Sequence, residues 1–324
     1  MIKNTILDFP KQFSYEPVIE NSANLKKSDG FVVCGMGGSH LAADLLKIWN
    51  PELDLIVHKN YGLPDLPEKF LKERLIIISS YSGNTEEMID SFEEALDKKL
   101  KIAVIAARGE LLELARKNSI PYIAIPDTDI PPRMALGFCV KALFKITGDE
   151  KSLNRIAKLS ESLDAKEFEE WGRDLAEKIN GFVPVVYSSE KNLPVAYNWK
   201  IKFNENSKIP AFCNAFPELN HNEINGFDVS PATRGLAENF YFIFLMDEND
   251  NPSISKRMSV LGEMYRERGF NVEVLGLESD DEFHKIFSSL ILADWVTYSL
   301  ADIYCVEPEP VPMVSEFKKR ISEF

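Results

Sequence analysis

The chain has 324 residues, of which 45% are hydrophobic and 27% are charged. These values are typical of a chain that folds along its whole length, and the length favours two domains over one. The 37 Lys and Arg against 51 Asp and Glu give a net charge of −14, which disfavours nucleic acid and anionic membranes as partners but still allows a small anionic ligand to bind locally.

Neither the first residues nor the apolar stretches of the chain predict a membrane protein. The first residues, MIKNTILDFPKQF, lack the apolar core of a signal peptide. The most apolar stretch begins at Ile286, but Asp294 and Asp302 interrupt it, so it predicts a buried helix. The four cysteines are widely separated and form no CxxC pair, which argues against a disulfide framework or a zinc site. We expect a cytoplasmic protein.

The first half, from residue 30, alternates short runs of Val, Ile and Ala with helical stretches. Runs such as GFVVCG, RLIIISS and KIAVIAA are typical of strands buried on both faces. They predict a parallel sheet with helices on both sides. An apolar helix from about Met134 to Ile146 closes this part, and we place the first domain at residues 1–148.

The second half repeats this rhythm after a charged stretch that predicts an interdomain helix or helix pair. Beyond Gly181 the runs FVPVVYSS, IPAFCNAF, NFYFIFLMD and NVEVLGL again predict strands between helices. The sequence therefore predicts an α/β protein made of two similar domains in tandem. The second domain is placed at residues 149–324 and includes the linker helices and an amphipathic C-terminal helix.

A glycine loop follows the first predicted strand, in VVCGMGGSHLAADLL. Glycines at such a place allow a ligand to approach the backbone, and the following helix start favours an anion. The dinucleotide fingerprint needs a third glycine, but His40 stands at that position after Gly35 and Gly37. A nicotinamide cofactor is therefore disfavoured, and a tight turn without a ligand is an alternative.

A second loop, in IIISSYSGNTEEMIDSF, is rich in hydroxyl groups. Asn84 or Thr85 can cap the next helix, but a cap needs only one hydroxyl, and Ser80 and Ser82 provide more. Both loops follow strands of one parallel sheet. The carboxyl ends of such strands are where parallel sheets bind ligands, so the two loops together predict an anion site.

The residues of these loops resemble those of a known family. SYSGNTEE resembles the phosphosugar-binding loop of sugar isomerase (SIS) domains, and GMGGS resembles their first glycine loop. Later in the chain, NENSKIPAF and ELNHNEING resemble the signature of the bifunctional phosphoglucose/phosphomannose isomerases. This resemblance covers nearly the whole chain. It implies two tandem SIS-type domains, each a parallel sheet flanked by helices, and no cofactor.

The resemblance also implies which residues bind the phosphate of a sugar 6-phosphate. They are Gly38, Ser39, Ser80, Ser82 and Thr85. Neutral hydroxyls and backbone N–H groups can hold a dianion without many buried cations.

Aldose–ketose isomerisation needs a base, a ring-opening acid/base and a group that stabilises the enediolate. The resemblance assigns these roles to Glu205 in NENSK, His221 in LNHNE and Arg133 in PPRMAL. A lysine near the carboxyl end completes the set: Lys318 in VPMVSEFKKR is the best match, and Lys319 replaces it if the alignment slips by one residue. The resemblance further implies a homodimer in which the partner subunit donates His221.

Each of these residues also has an ordinary interpretation. Out of context, Glu205 would be a solvated acid at a helix end, His221 a loop histidine and Arg133 a surface charge at a helix start. The two lysines would be solvated helix residues. The assignment of catalytic roles therefore depends on the family pattern and not on spacing alone.

Metal catalysis is the natural alternative for sugar isomerisation. The four histidines, at positions 40, 58, 221 and 284, form no HxH or HxxxH pair. A carboxylate site for magnesium stays open at this stage, but no motif indicates one. The sequence favours proton transfer without a metal.

The sequence thus predicts an isomerase that converts glucose 6-phosphate, and mannose 6-phosphate, into fructose 6-phosphate through a cis-enediol(ate). One alternative is a non-catalytic SIS regulator that binds a sugar phosphate; such regulators commonly carry a DNA-binding module, and no basic module precedes residue 30. Another is an isomerase of a different phosphosugar, against which the NENSK motif argues.

Overall fold

A computed structural model describes residues 2–323, apart from the side chain of Ser322. The chain divides into two compact units. The first unit is Leu7–Asp164, and the second joins the residues before Leu7 to those after Asp164.

The first unit is built on a parallel sheet. Its strands are β1 (Gly30–Gly35), β2 (Asp54–His58), β3 (Leu75–Ser80), β4 (Lys101–Ala106) and β5 (Tyr122–Ala124). They are ordered β2-β1-β3-β4-β5, and every neighbouring pair is parallel. All residues of β1 and β3 are buried, because helices cover both faces of the sheet. The long apolar runs of the sequence predicted this arrangement.

In this part of the chain, strands and helices alternate from β1 to the helix that follows β5. The helices are α1 (Ile2–Leu7), α2 (Gly38–Trp49), α3 (Glu68–Glu73), α4 (Glu86–Asp97), α5 (Glu110–Lys117), α6 (Leu136–Thr147), α7 (Glu150–Ala157) and α8 (Leu159–Ser162). Short 3-10 helices lie at Phe9–Ser14, Ser22–Asn24 and Pro132–Met134. Most of α1 belongs to the second unit, where Lys3 donates a hydrogen bond to Glu169 at 2.6 Å.

The helices α7 and α8 lie after residue 148, at the predicted start of the second domain. In the structure they group with the first unit. The physical reason is packing: α7 contacts α6, and α8 contacts the 3-10 helix Phe9–Ser14.

The second unit repeats the architecture with one strand fewer. Its strands are β6 (Val183–Ser189), β7 (Phe212–Phe216), β8 (Phe240–Asp247) and β9 (Asn271–Leu277). They form a parallel sheet in the order β7-β6-β8-β9. The predicted fold class, two parallel sheets each flanked by helices, is confirmed.

The helices of the second unit include one that is long and strongly apolar. They are α9 (Glu169–Ile179), α10 (Leu193–Glu205), α11 (Arg234–Ala237), α12 (Pro252–Glu267), α13 (Glu282–Tyr304) and α14 (Pro312–Ser322), with 3-10 helices at Ala165–Phe168, Glu218–His221 and Glu223–Phe227. By length and composition α13 could cross a membrane, but 72% of its apolar window is buried inside the protein. It packs against α9 and α10 and is the buried helix that the sequence predicted.

Candidate active site

The loops after β1 and β3 meet at the carboxyl edge of the first sheet. The two strands are neighbours, and Gly35 is paired with Ser79. The Oγ atom of Ser39 accepts a hydrogen bond from the backbone N–H of Tyr81 at 3.0 Å, and the Ser79 hydroxyl donates to the Ser39 carbonyl at 3.2 Å. The structure therefore brings together the two loops that the sequence predicted to form an anion site.

The hydroxyl groups of the second loop bond to one another and to the loop backbone. Ser80 Oγ lies 2.8 Å from Thr85 Oγ1 and accepts from the N–H of Gly83 at 3.1 Å. Ser82 Oγ accepts from the N–H of Asn84 at 3.3 Å. These contacts hold Ser80, Ser82 and Thr85, three of the predicted phosphate ligands, within one short loop.

The start of α4 differs from the sequence prediction that Asn84 or Thr85 caps it. Thr85 is at the cap position but makes no side-chain cap bond. The side-chain oxygen of Asn84 accepts instead from the N–H of Glu110 at 2.9 Å, at the start of α5. Without a side-chain cap, the first N–H groups of α4 can bind an anion.

Gly38 and Arg133 are brought together by close backbone contact. A Cβ atom at Gly38 would lie 2.8 Å from the carbonyl carbon of Pro132 and 2.9 Å from the nitrogen of Arg133, so a larger residue at position 38 would push the two segments apart. Arg133 is only 3% exposed. Its interpretation as a surface charge is therefore wrong: it is a buried arginine beside the glycine loop.

His40, which replaces the third glycine of the dinucleotide fingerprint, has a structural partner on α2. Its Nδ1 atom lies 2.7 Å from a carboxylate oxygen of Asp44, which also accepts from Lys59 at 2.8 Å. Burial by itself would raise the pKa of Asp44, but the hydrogen bonds with His40 and Lys59 lower it overall. The ionised carboxylate thus holds the imidazole against α2.

Glu205 is the last residue of α10 and is half-buried. The residues after it are bonded to α13: Asn206 donates to the Thr297 hydroxyl at 2.9 Å, and the Ser207 hydroxyl donates to the Thr297 carbonyl at 2.9 Å. One turn earlier on α10, the Nζ atom of the buried Lys202 lies 2.5 Å from a carboxylate oxygen of the buried Asp294. These bonds attach the end of α10, on which Glu205 lies, to α13.

The segment leading into α14 also reaches this turn. Lys208 has a left-handed backbone (φ 59°), and its ammonium group donates to the carbonyl of Glu205 and, at 3.3 Å, to that of Pro308. The helix α14 begins soon after Pro308 and carries Lys318 and Lys319. Both lysines are exposed, so burial does not distinguish them, and the choice of Lys318 stays a prediction.

His221 is exposed and ends a 3-10 helix just after β7. The last residue of β7, Phe216, is paired with Ser189 at the carboxyl end of β6. Glu205 lies at the opposite edge of the sheet, where the strands begin. The helix α10 starts after the carboxyl end of β6 and runs back along the sheet, and β7 then starts opposite Val185. Five strand residues span about 17 Å. The second unit of one chain therefore holds Glu205 and His221 at opposite edges of its sheet.

Several contacts of the site were not predicted from the sequence. Thr297 had no assigned role, although Asn206 bonds to it across 91 residues of chain. Glu223 also had none, and its carboxylate accepts hydrogen bonds from Tyr187 and Asn214. Only the amide-rich composition around Glu223 marked that segment as unusual. Among residues 2–323, no group of three or more His, Cys, Asp or Glu is placed to hold a metal ion.

Comparisons with known proteins agree with this fold. A sequence profile described as the bacterial phospho-glucose isomerase C-terminal SIS domain matches residues 168–321. The bifunctional phosphoglucose/phosphomannose isomerase of Aquifex aeolicus is 30% identical over 97% of this chain and 96% of its own. The D-glucosamine-6-phosphate 4-epimerase of Sulfolobus acidocaldarius is 28% identical over 66% of this chain and 69% of its own. The crystal structure of tagatose-6-phosphate ketose/aldose isomerase from Escherichia coli superposes with a TM-score of 0.71 at 14% identity, covering 96% of this chain and 95% of its own.

Proposed function

The chain belongs to the bifunctional phosphoglucose/phosphomannose isomerase family, and on that premise we propose that it interconverts glucose 6-phosphate and mannose 6-phosphate with fructose 6-phosphate. One observation carries the proposal beyond the family name. The Ser39 loop and the Ser80–Thr85 loop are bonded together at the carboxyl edge of one sheet, and a buried arginine adjoins them.

The phosphate group is bound by Gly38, Ser39, Ser80, Ser82 and Thr85. The backbone at Gly38 and the uncapped start of α4 supply N–H groups, and the hydroxyls can rotate to donate. Such neutral donors stabilise a dianion by hydrogen bonds although the net charge of the chain is −14. This arrangement binds the end of the sugar that does not react and leaves C1 and C2 to the catalytic groups.

Glu205 acts as the base. It removes the proton from C2 of the open-chain aldose, and the electron pair forms the C1–C2 double bond of an enediol(ate), whose negative charge Arg133 stabilises. The hydroxyl proton passes from the oxygen on C2 to the oxygen on C1, and Glu205 returns its proton to C1, which gives the ketose. Glucose and mannose phosphates differ only at C2, which is planar in the intermediate, so both aldoses converge on it. Lys318 contributes a further positive charge to the site.

His221 opens the sugar ring and is donated by the partner subunit of a homodimer. The separation of about 17 Å between the two edges of the second sheet supports this assignment, because Glu205 and His221 of one chain lie at opposite ends of β7. His221 is exposed in the single chain, and a residue that reaches the active site of a partner subunit must be exposed in this way. We infer that the dimer works in the cytoplasm, without a metal or a cofactor.

Purified protein tests this function directly. After treatment with a chelator it should form fructose 6-phosphate from either aldose phosphate. The Glu205→Gln variant should lose about 10²- to 10⁴-fold in kcat, whereas Glu263→Gln, which changes an exposed glutamate on α12, should keep the parent rate. An inactive chelated protein, or a fully active Glu205→Gln variant, would show that the mechanism is wrong.

A second candidate function follows from the relative named D-glucosamine-6-phosphate 4-epimerase. The phosphate-binding loops would suit another hexose phosphate equally well, so the substrate panel should include glucosamine 6-phosphate. Turnover of that sugar alone would favour the epimerase. Saturable binding of all these sugars without turnover would favour a regulator.

A further inference from the structure

The turn that carries His221 is fixed on both sides, although His221 itself is exposed. Two residues before it, Leu219 is fully buried. Two residues after it, the carboxylate of Glu223 accepts a hydrogen bond from the Tyr187 hydroxyl on one oxygen and from the Asn214 amide on the other. His221 is therefore at the tip of a short loop whose two ends are attached to the second unit.

The two groups that hold Glu223 are neighbours in the sheet. Tyr187 of β6 and Asn214 of β7 are directly paired in the parallel register, so their side chains leave the same face at the same height. The two oxygens of one carboxylate match these two adjacent donors. The link thus connects the His221 turn to two strands at once.

Tyr187 is a rigid attachment point. Its side chain is fully buried, and its ring packs at 5.6–6.1 Å from the rings of Phe216, Phe242 and Phe244. Burial, together with the nearby Tyr265 and Glu223, raises the pKa of Tyr187 far above its usual range. The hydroxyl therefore keeps its proton and remains a donor to Glu223.

Asn214 is oriented as well. Its side-chain oxygen accepts from the N–H of Ala215 at 2.8 Å, which directs its NH₂ group toward Glu223. Only a carboxylate can accept from both donors with both oxygens, since the amide of a glutamine would face one of them with a second donor. The site therefore specifies Glu223 by chemistry as well as by size.

We propose that Glu223 is a positioning residue for His221. Asn222 joins the two: its side-chain oxygen accepts from the N–H of Glu223 at 2.6 Å, so a shift of Glu223 moves the backbone on which His221 stands. The inference rests on the proposed function, in which His221 acts as the ring-opening group of the partner's site. A histidine that must reach into another subunit needs such an anchor, because a misplacement of about 1 Å can cost about 100-fold in rate.

Kinetics of Glu223→Gln test the proposal. We expect kcat to fall by up to about 100-fold with little change in KM, since the phosphate ligands lie in the other unit. Glu218→Gln is the matched control: it removes the same charge from the same turn, but Glu218 is exposed and bonds to the exposed Asn222 rather than to the strands. It should keep the parent kcat.

A double-mutant cycle separates positioning from general structure. In a His221→Ala background, Glu223→Gln should cause almost no further loss, because the group that it positions is already absent. An equal loss in both backgrounds would overturn the proposal, as would a fully active His221→Ala enzyme.

Hydrogen exchange supplies a readout that does not depend on activity. In Glu223→Gln the amides of residues 219–224 should exchange faster than in the parent and in Glu218→Gln, while the strands stay protected. Unchanged exchange in this segment would overturn the proposal. A parent protein that isomerises none of the sugars would refute the proposed function, and the exchange result would still decide whether Glu223 anchors the turn.

Discussion

Asp247 accepts a hydrogen bond from Lys285 at 2.8 Å, and both side chains are buried. Asp247 ends β8, which has the same place in the second sheet as β3 has in the first. The end of β3 continues into the hydroxyl-rich loop, whereas the end of β8 is occupied by this ion pair. The two units therefore share a fold, but the end of β8 holds a buried carboxylate where the end of β3 leads into the proposed phosphate-binding loop.

Removal of this carboxylate should destabilise the protein. Asp247→Ala leaves the Lys285 ammonium buried without its counter-charge, which costs about 3–5 kcal/mol in the free energy of unfolding. Urea denaturation at neutral pH measures the loss. The control is Glu170→Ala, which removes an exposed partner 3.6 Å from Arg173 and should cost less than about 1 kcal/mol. Equal losses for the two variants would contradict the assignment.

The same pair predicts how stability depends on pH. Burial by itself would raise the pKa of Asp247, but the bonds from Lys285, Asn249 and Asn192 lower it overall. A carboxyl group with a lowered folded pKa stabilises the protein above its unfolded pKa of about 3.9, and this contribution disappears as pH falls through the folded value. The difference in unfolding free energy between parent and Asp247→Asn should therefore be largest near neutral pH and shrink in acid. A constant difference would refute this account.

Gly83 is predicted to be essential for the shape of the second loop. Its φ is +69°, and a Cβ atom there would lie 1.7 Å from the carbonyl oxygen of Arg108. Gly83→Ala should cost about 1–2 kcal/mol for the left-handed backbone and about 1–3 kcal/mol more for the clash. The midpoint of thermal unfolding should fall, and the substrate should bind more weakly. Gly226→Ala should change neither, because a Cβ atom added at Gly226 would lie more than 4 Å from the other described residues, apart from its chain neighbours.

Ser39→Ala tests the contact between the two phosphate loops. The hydroxyl accepts from the Tyr81 N–H and is one of the proposed phosphate ligands. A hydrogen bond to a charged group contributes roughly 1.5–3 kcal/mol, so KM should rise by about 10- to 100-fold with little change in kcat. Ser14→Ala, which removes an exposed hydroxyl bonded to the carbonyl of Lys11, should leave KM unchanged. An unchanged KM in Ser39→Ala would refute the proposal that this serine binds the phosphate.

The sheets were predictable from the sequence because strands buried on both faces must be continuously apolar. The segments RLIIISS and NFYFIFLMD show this, and they form β3 and β8. The assignment of α7 and α8 to a unit was not predictable in the same way. Their charged sequence identifies helices, but only contacts with α6 and with Phe9–Ser14 decide the unit to which they belong.

The candidate site was predictable where its residues are close in sequence and not where they are distant. The hydroxyls of Ser80 and Thr85 are five positions apart and bond to each other. By contrast, Asn84 caps α5 rather than the helix that it precedes, and Thr297 holds the Glu205 turn from another helix. No local pattern encodes such long-range pairs, since they depend on how the helices pack.

Glu205 and His221 are 16 residues apart in the sequence but at opposite edges of a sheet. In the proposed homodimer, this predicts complementation between inactive subunits. Glu205→Gln and His221→Ala homodimers should each be nearly inactive. A mixed dimer would contain one site with both native residues and one site with neither. If subunits exchange at random, an equal mixture should regain about a quarter of the parent activity, since about half of the dimers are mixed and each has one working site.

After mixing, activity should rise with the time constant of subunit exchange. Each variant incubated alone under the same conditions is the control. If Glu205 and His221 of one chain acted in the same site, each site of a mixed dimer would lack one of them, and no activity would return. The predicted complementation therefore depends on the strand β7, whose length of about 17 Å separates Glu205, the proposed base, from His221, the proposed ring-opening residue, within one chain.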